Sequence, residues 1–395
     1  LTPYYDEGGV KIYHGDVLDV LRQLPDGIVQ TCVTSPPYWG LRCYGTDGQL
    51  GLESTPEEFI AKMVEVFREV RRVLRDDGTA WVNLGDSYAS QGGERTAGSH
   101  DGGTGRGDAP GPRIAAPNLK PKDLCGIPWR VALALQADGW YLRSDIIWSK
   151  PNPMPESCTD RPTKAHEYVF LLSKSARYYY DADAVREPHT EPWRGQGEHE
   201  SSTPHSGRLD DSDGQQAAFT VGVRQYNPAG RNKRTVWTVA TESFKGAHFA
   251  TYPRKLIEPC ILAGATDRAC AECGKPWRRV VERESAPPEV FTKTSKPPEA
   301  AQLQPPGGQG QAFGCGQKLQ DWRNAHPPTT IGHEPDCKCG TTETRPSIVL
   351  DPFMGSGTTA EVARKHGCHV LGIELNAEYI ELARKRLAQG VLDFP

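Results

Sequence analysis

The stretch "IVLDPFMGSGTTAEVARKHGCHVLGIELN", Ile348 to Asn376, limits the fold more than any other part of the chain. An apolar strand ends at Asp351. Gly355 and Gly357 make a tight turn, Thr358 and Thr359 open a helix, Gly367 closes it, and a second strand ends at Glu374. Strand, helix and strand joined by short links imply a mostly parallel sheet with helices on its faces. The Gly-rich turn lies at the carboxyl edge of that sheet, where ligands of such folds bind. Its spacing is not that of a dinucleotide fingerprint, because Thr-Thr follows G-x-G directly, and no Gly-Lys-Ser/Thr follows as in a phosphate-binding loop. A nucleoside without a pyrophosphate suits the turn, with Glu374 placed to accept from a ribose diol.

The first ninety residues repeat the rhythm. "VKIY" and "IVQTCVT" have strand composition, and "DVLDVLRQL" between them has helical spacing. "STPEEFIAKMVEVFREVRRVLRDDG" predicts a long helix capped by Thr55, with Pro56 in its first turn and Glu58 completing a capping box. Phe59, Ile60, Met63, Val64, Phe67, Val70 and Leu74 form its core stripe, and Gly78 is the expected stop. "TAWVNLGD" follows as a strand. Ser90–Arg113 is too Gly-rich to fold alone and is expected to be a mobile loop. The α/β rhythm resumes, then breaks at two polar interruptions, from Glu187 to about Ala229 and from Ala265 to about Arg345.

"CVTSPPYWG", Cys32 to Gly40, ends a strand in an unusual way. Pro36 and Pro37 cannot donate backbone hydrogen bonds and hold the segment extended, and Tyr38 and Trp39 follow at once. Taken together, "TSPPYW" and "DPFMGSGTT" resemble the S-adenosylmethionine-dependent DNA amino-methyltransferases. The catalytic motif precedes the cofactor motif, as in the permuted β group of that family. "YHGDVLDVL", "DIIWSKPNPMPES" and "HFATYP" add to the likeness. It implies a Rossmann-like methyltransferase fold (α/β, with a mostly parallel sheet) carrying a DNA-recognition region.

The resemblance gives "SPPY" a mechanism. The exocyclic amine of cytosine or adenine is a poor nucleophile, because its lone pair is delocalised into the ring. The Ser35 hydroxyl and the Pro36 carbonyl would bind its two N–H groups and aim the lone pair at a sulfonium methyl, with Pro37 keeping the geometry rigid. The base must be flipped out of the duplex. Tyr38 would stack on it and Trp39 would form a second wall. In the family, Ser at the first motif position goes mostly with N4-cytosine and Asp or Asn mostly with N6-adenine, so Ser35 favours cytosine, with adenine as the alternative. The expected cofactor residues are Asp351, Phe353, Gly355, Ser356, Gly357, Thr358, Thr359 and Glu374, joined through the resemblance by Asp16 and Phe249. Cys32 and Cys43 read as packing residues. A catalytically silent DNA-binding protein and an RNA methyltransferase are the rival readings, and the intact "SPPY" and "GSG" count against the silent one.

Eleven cysteines without a secretory layout at the N-terminus point to a reducing, cytoplasmic setting, and the resemblance implies a prokaryotic or phage source. Cys270 and Cys273, with Cys337 and Cys339, form two knuckles that suit a structural four-sulfur zinc site of ribbon type, although the second pair has one intervening residue; His333 or Cys315 could replace a ligand. No apolar run is long enough to span a membrane. A net charge of −4 excludes a uniformly basic coat but not a local basic groove. Arg224, Arg231, Lys233 and Arg234, with Tyr226 and Trp237, have the basic and aromatic makeup of a DNA surface, and Arg278 and Arg279 offer a second one. The expected organisation is a catalytic half (1–186), a target-recognition region (187–240), a return to the methyltransferase domain (241–264), a cysteine-paired insertion (265–345) and a cofactor half (346–395). The expected partner is double-stranded DNA. The enzyme would be solitary or accompanied by a restriction endonuclease, and the sequence leaves its oligomeric state open.

Overall fold

The computed structural model describes residues 1–41, 46, 48–89, 118–188, 230–242, 252–282, 284, 322, 325–326 and 329–389. The expected loop at 90–113, together with Cys43, Arg224, Tyr226, Phe249 and Cys315, lies outside the described residues. Two compact units are present. One is Leu1–Val185, Arg234–Arg278 and His333–Pro395; the other is Arg186–Lys233 and Arg279–Gly332.

The strands are β1 (Tyr5–Glu7), β2 (Val10–His14), β3 (Val29–Thr34), β4 (Leu74–Leu84), β5 (Tyr141–Ser149), β6 (His166–Ser173) and β7 (Val236–Thr238). Then follow β8 (Ala269–Cys270), β9 (Arg278–Glu282), β10 (Thr329–Glu334), β11 (Thr344–Arg345), β12 (Ile348–Asp351) and β13 (His369–Glu374). The helices are α1 (Val17–Gln23), α2 (Pro56–Val73), α3 (Ile127–Ala137), α4 (Arg254–Gly264), α5 (Thr358–Lys365) and α6 (Ala377–Gln389). Nine strands form one sheet in the order β1-β2-β13-β12-β3-β4-β6-β5-β7. From β2 to β4 the strands run parallel, and β6 enters antiparallel between β4 and β5. The last strands in sequence, β12 and β13, therefore sit between β2 and β3. This is how the permuted motifs meet: Val349 pairs with Thr31 and Leu350 with Cys32.

The apolar stripes sort the helices onto the two faces. Residues of α1, α2 and α3 share one buried cluster, and those of α4, α5 and α6 share the other. In α2, Thr55 accepts from the Glu58 N–H at 3.1 Å and Glu58 takes the Ser54 N–H, so the capping box forms one residue wider than usual. Phe59, Met63, Phe67 and Val70 are buried as the stripe predicts, while Ile60 and Val64 are only partly covered. The helix stops at Val73 rather than near Gly78, because buried Leu74 already joins the sheet beside Val29. Among the described residues, no helix is long and apolar enough to cross a membrane.

Candidate active site

A cavity of about 420 Å³ opens at the carboxyl ends of the parallel strands. That is within the range of small-molecule sites. Asp16 after β2, Ser35 to Tyr38 after β3, Pro352 to Ser356 after β12 and Glu374 at the end of β13 all line it. The amine-clamp motif and the Gly-rich turn thus share one space, although more than 300 residues separate them.

The link behind the wall is explicit. Thr34 Oγ1 donates to Asp351 Oδ1 at 2.7 Å. The Phe353 N–H reaches the same oxygen at 3.2 Å, while Thr359 Oγ1 (2.5 Å) and the Tyr252 hydroxyl (3.0 Å) donate to Oδ2. Burial pushes the Asp351 carboxyl up and these donors oppose it. With 0% exposure and these four donors, Asp351 does not line the cavity. It was expected among the cofactor residues, but the structure makes it the anchor of the loop, since its oxygens are satisfied from within. Gly357 and Thr359 also stand outside the lining, whereas Phe353, Gly355, Ser356 and Thr358 are part of it. Gly357 is required twice over: its φ is +80°, and a Cβ would lie 2.9 Å from Ala383 of α6. From the same helix, buried Arg386 donates to Ser356 Oγ (3.2 Å) and Thr358 Oγ1 (2.8 Å) and pairs with Glu361, bracing the turn.

Glu374 accepts from the N–H of Gly355 at 2.7 Å and from that of Asn376 at 2.8 Å, and burial nevertheless raises its carboxyl to about 7. Asp16 lines the cavity and also caps α1, accepting from the N–H groups of Leu18 and Asp19. The turn fits a nucleoside. A Cβ on Gly355 would meet nothing within 4 Å, so the backbone there is open to close approach, and carboxylates flank it.

On the clamp side, Ser35, Pro36, Pro37 and Tyr38 all line the cavity. The Tyr38 ring lies so close to Gly85 that a Cβ there would be 2.5 Å from it. Its hydroxyl donates to Glu167 Oε2 at 2.7 Å, lies 3.1 Å from Asn83 Oδ1 and accepts from Ser35 Oγ at 3.4 Å. Glu167 is held further by Asn83 Nδ2 (3.1 Å) and by an ion pair with Lys150, whose ammonium sits 4.4 Å from the centre of the Trp148 ring. The sequence reading missed Asn83, Lys150, Glu167 and Tyr252, all of which line the cavity. The signals were there: a polar residue inside "AWVNL" and a lysine directly after the last residue of β5.

Trp39 is not a second wall. It is 3% exposed, gives its Nε1–H to the Glu53 carbonyl at 2.9 Å and belongs to the core. Trp237 is buried too, its ring 6.5 Å from that of Trp81, so it offers no aromatic surface. Arg231 and Lys233 both face Glu187, at 3.3 and 3.7 Å, and the Arg234 carbonyl accepts from Trp237. Arg278 pairs with Glu334, and Arg279 donates to Thr330 Oγ1 at 3.0 Å.

The sulfur atoms of Cys270, Cys273, Cys337 and Cys339 all lie within 4.8 Å of one another. A zinc tetrahedron with bonds of about 2.3 Å has sulfur–sulfur edges of about 3.8 Å, so small rotations would close the four thiols on an ion. The all-sulfur donor set is compatible with a structural zinc site. The Cys273 backbone N–H draws Cys270 down to about 7. These cysteines belong to the sheet-bearing unit. β8 and β11 pair with each other, and Arg75 at the start of β4 donates to the Cys273 carbonyl, which ties the knuckles to the main fold.

A mostly parallel sheet that brings a Gly-rich turn beside carboxylates and a Ser-Pro-Pro-Tyr segment onto one cavity has the layout of an α/β fold able to hold a nucleoside-bearing molecule next to a second ligand. Comparison makes this specific: a profile of the family described as DNA methylase matches residues 29–269 and 339–385. The Type II methyltransferase M.Cfr9I of Citrobacter freundii is 40% identical over 96% of this chain and 88% of its own length. M.SmaI of Serratia marcescens is 37% identical over 95% and 90%. The PvuII DNA methyltransferase (cytosine-N4-specific) shares the fold, with a TM-score of 0.51 at 16% identity over 97% of this chain and 88% of that one. The chain belongs to the DNA methylases of the N4/N6 class.

Proposed function

We propose that this DNA methyltransferase moves a methyl group from S-adenosylmethionine to the exocyclic N4 amine of a flipped-out cytosine within a specific sequence. The observation that carries the reading is the Ser35 hydroxyl beside Pro36 on the wall that also holds Gly355 and Glu374. The cofactor supplies an electrophilic methyl group. Glu374 and Asp16 would hold its nucleoside, with Phe353 and the turn at Gly355 and Ser356 around it. Ser35 and the Pro36 carbonyl accept from the amine, fix its orientation and concentrate its lone pair on one side, while the Tyr38 ring forms the stacking plate. Ser35 at the first motif position supports cytosine over adenine.

Arg224, Arg231, Lys233 and Arg234 are the proposed DNA contacts of the target-recognition region. A nuclease recognising the same sequence is the expected companion in a prokaryotic cytoplasm, since M.Cfr9I and M.SmaI are bacterial Type II methyltransferases. Modification-sensitive sequencing of DNA from cells expressing the chain gives the target sequence, and a nucleoside digest of that DNA gives the base. N4-methylcytosine is the expected product. N6-methyladenine as sole product would overturn the base assignment.

A further inference from the structure

We propose that Glu167 ends a proton relay that starts at Ser35 and removes the proton released when the amine is methylated. The inference rests on the amino-methyltransferase reading above. As the nitrogen lone pair forms the N–C bond, the carbon–sulfur bond breaks and its electron pair returns to sulfur. The nitrogen is then positively charged and carries one proton too many. Ser35 Oγ can accept that proton only by passing on its own.

A route for it exists. Ser35 Oγ donates to the Tyr38 hydroxyl at 3.4 Å, and that hydroxyl donates to Glu167 Oε2 at 2.7 Å. In the balanced step the amine proton moves to Ser35, the Ser35 proton to Tyr38 and the Tyr38 proton to Glu167. The carboxylate becomes a neutral acid and later releases the proton to solvent. The 3.4 Å step is the longest, and contacts of this kind tighten when substrate binds.

The other carboxylates near the clamp are committed elsewhere. Asp86 accepts from the backbone N–H groups of Ser87, Gly126 and Ile127, and Asp16 caps α1. Glu374 holds the Gly-rich turn, and Glu242 is paired with Arg254. Among the described residues lining the cavity, Glu167 is the carboxylate joined to Ser35 through a hydroxyl. The titratable groups facing it are Lys150 after β5, Lys164 just before β6 and Tyr38 after β3.

Glu167→Gln keeps the size and an acceptor for Tyr38 but cannot take up a proton. On a duplex carrying the mapped target, its single-turnover methylation rate should fall about 10²-fold and lose the decline at low pH expected of the native enzyme. Cofactor affinity by calorimetry, and the fluorescence of 2-aminopurine flipped out at the target position, should match the native protein. Tyr38→Phe should lower the rate in the same way with the Lys150–Glu167 pair left in place. Glu167→Asp should recover part of the rate and the low-pH decline. A Glu167→Gln rate within about threefold of native, or an unchanged low-pH decline, would overturn the relay. Loss of 2-aminopurine flipping together with rate would overturn it too, making Glu167 a shaping residue only. A native protein that methylates no DNA would instead defeat the underlying reading, and that measurement precedes any variant.

Discussion

Replacing Glu374 by Gln tests how the cofactor cradle is built. The Glu374 carboxylate is held by two backbone N–H groups, at 2.7 and 2.8 Å, yet burial outweighs them and lifts it from 4.5 to about 7. Between those values the folded protein keeps a proton that the unfolded chain has released, so stability falls as pH rises through this window. The rise from 4.5 to about 7, at about 1.4 kcal/mol per pH unit, limits the loss to about 3 kcal/mol, complete above the folded value. Gln has no such proton. It leaves one backbone N–H facing an amide NH₂, a penalty of about 1–3 kcal/mol that does not change with pH. Unfolding free energies of both proteins at about pH 5 and about pH 8 should therefore converge at the higher pH, by up to about 3 kcal/mol. Ribose hydroxyls donating to the carboxylate favour its ionised form, so native cofactor affinity should fall about tenfold per pH unit below 7, with proton release visible in calorimetry. An equal native–variant difference at both pH values, or flat native cofactor affinity across neutrality, would refute the reasoning.

Three further outcomes are expected. Gly85→Ala places a Cβ 2.5 Å from the Tyr38 ring and should cut methylation about tenfold or more, with cofactor affinity unchanged in calorimetry. Trp39→Phe removes the donor to the Glu53 carbonyl and should lower unfolding free energy by about 1–2 kcal/mol while DNA affinity stays native; weaker DNA binding at native stability would return Trp39 to the interface. Metal analysis should find one zinc per chain, with chelation lowering the melting temperature; zinc-free protein with four titratable thiols in this cluster would count against the site.

Much of this protein is written locally. The α2 stripe, its Thr55 cap and the strand–turn–helix at Asp351 to Thr359 form where periodicity and turn chemistry place them, because those preferences act within a few residues. The cysteine knuckles were likewise legible as pairs. Errors arose where a side chain had two plausible fates. Trp39 and Trp237 have the composition of an exposed nucleic-acid surface, but each sits where the sheet brings helices or other strands over it, and apolar area is buried wherever cover exists.

The sequence by itself determined the elements, the parallel α/β class, and the two motifs that carry the amine clamp and the nucleoside turn. Only the tertiary structure decided which groups those motifs meet. The order β13-β12-β3-β4-β6-β5 brings Thr34 to Asp351 across 317 positions and Tyr38 to Glu167 across 129. It makes Asp351 a buried anchor rather than a ligand contact. Strand order is set by how the whole chain covers both faces of the sheet, so no local window contains it, and the hydrogen-bond partners of a catalytic loop follow from that order.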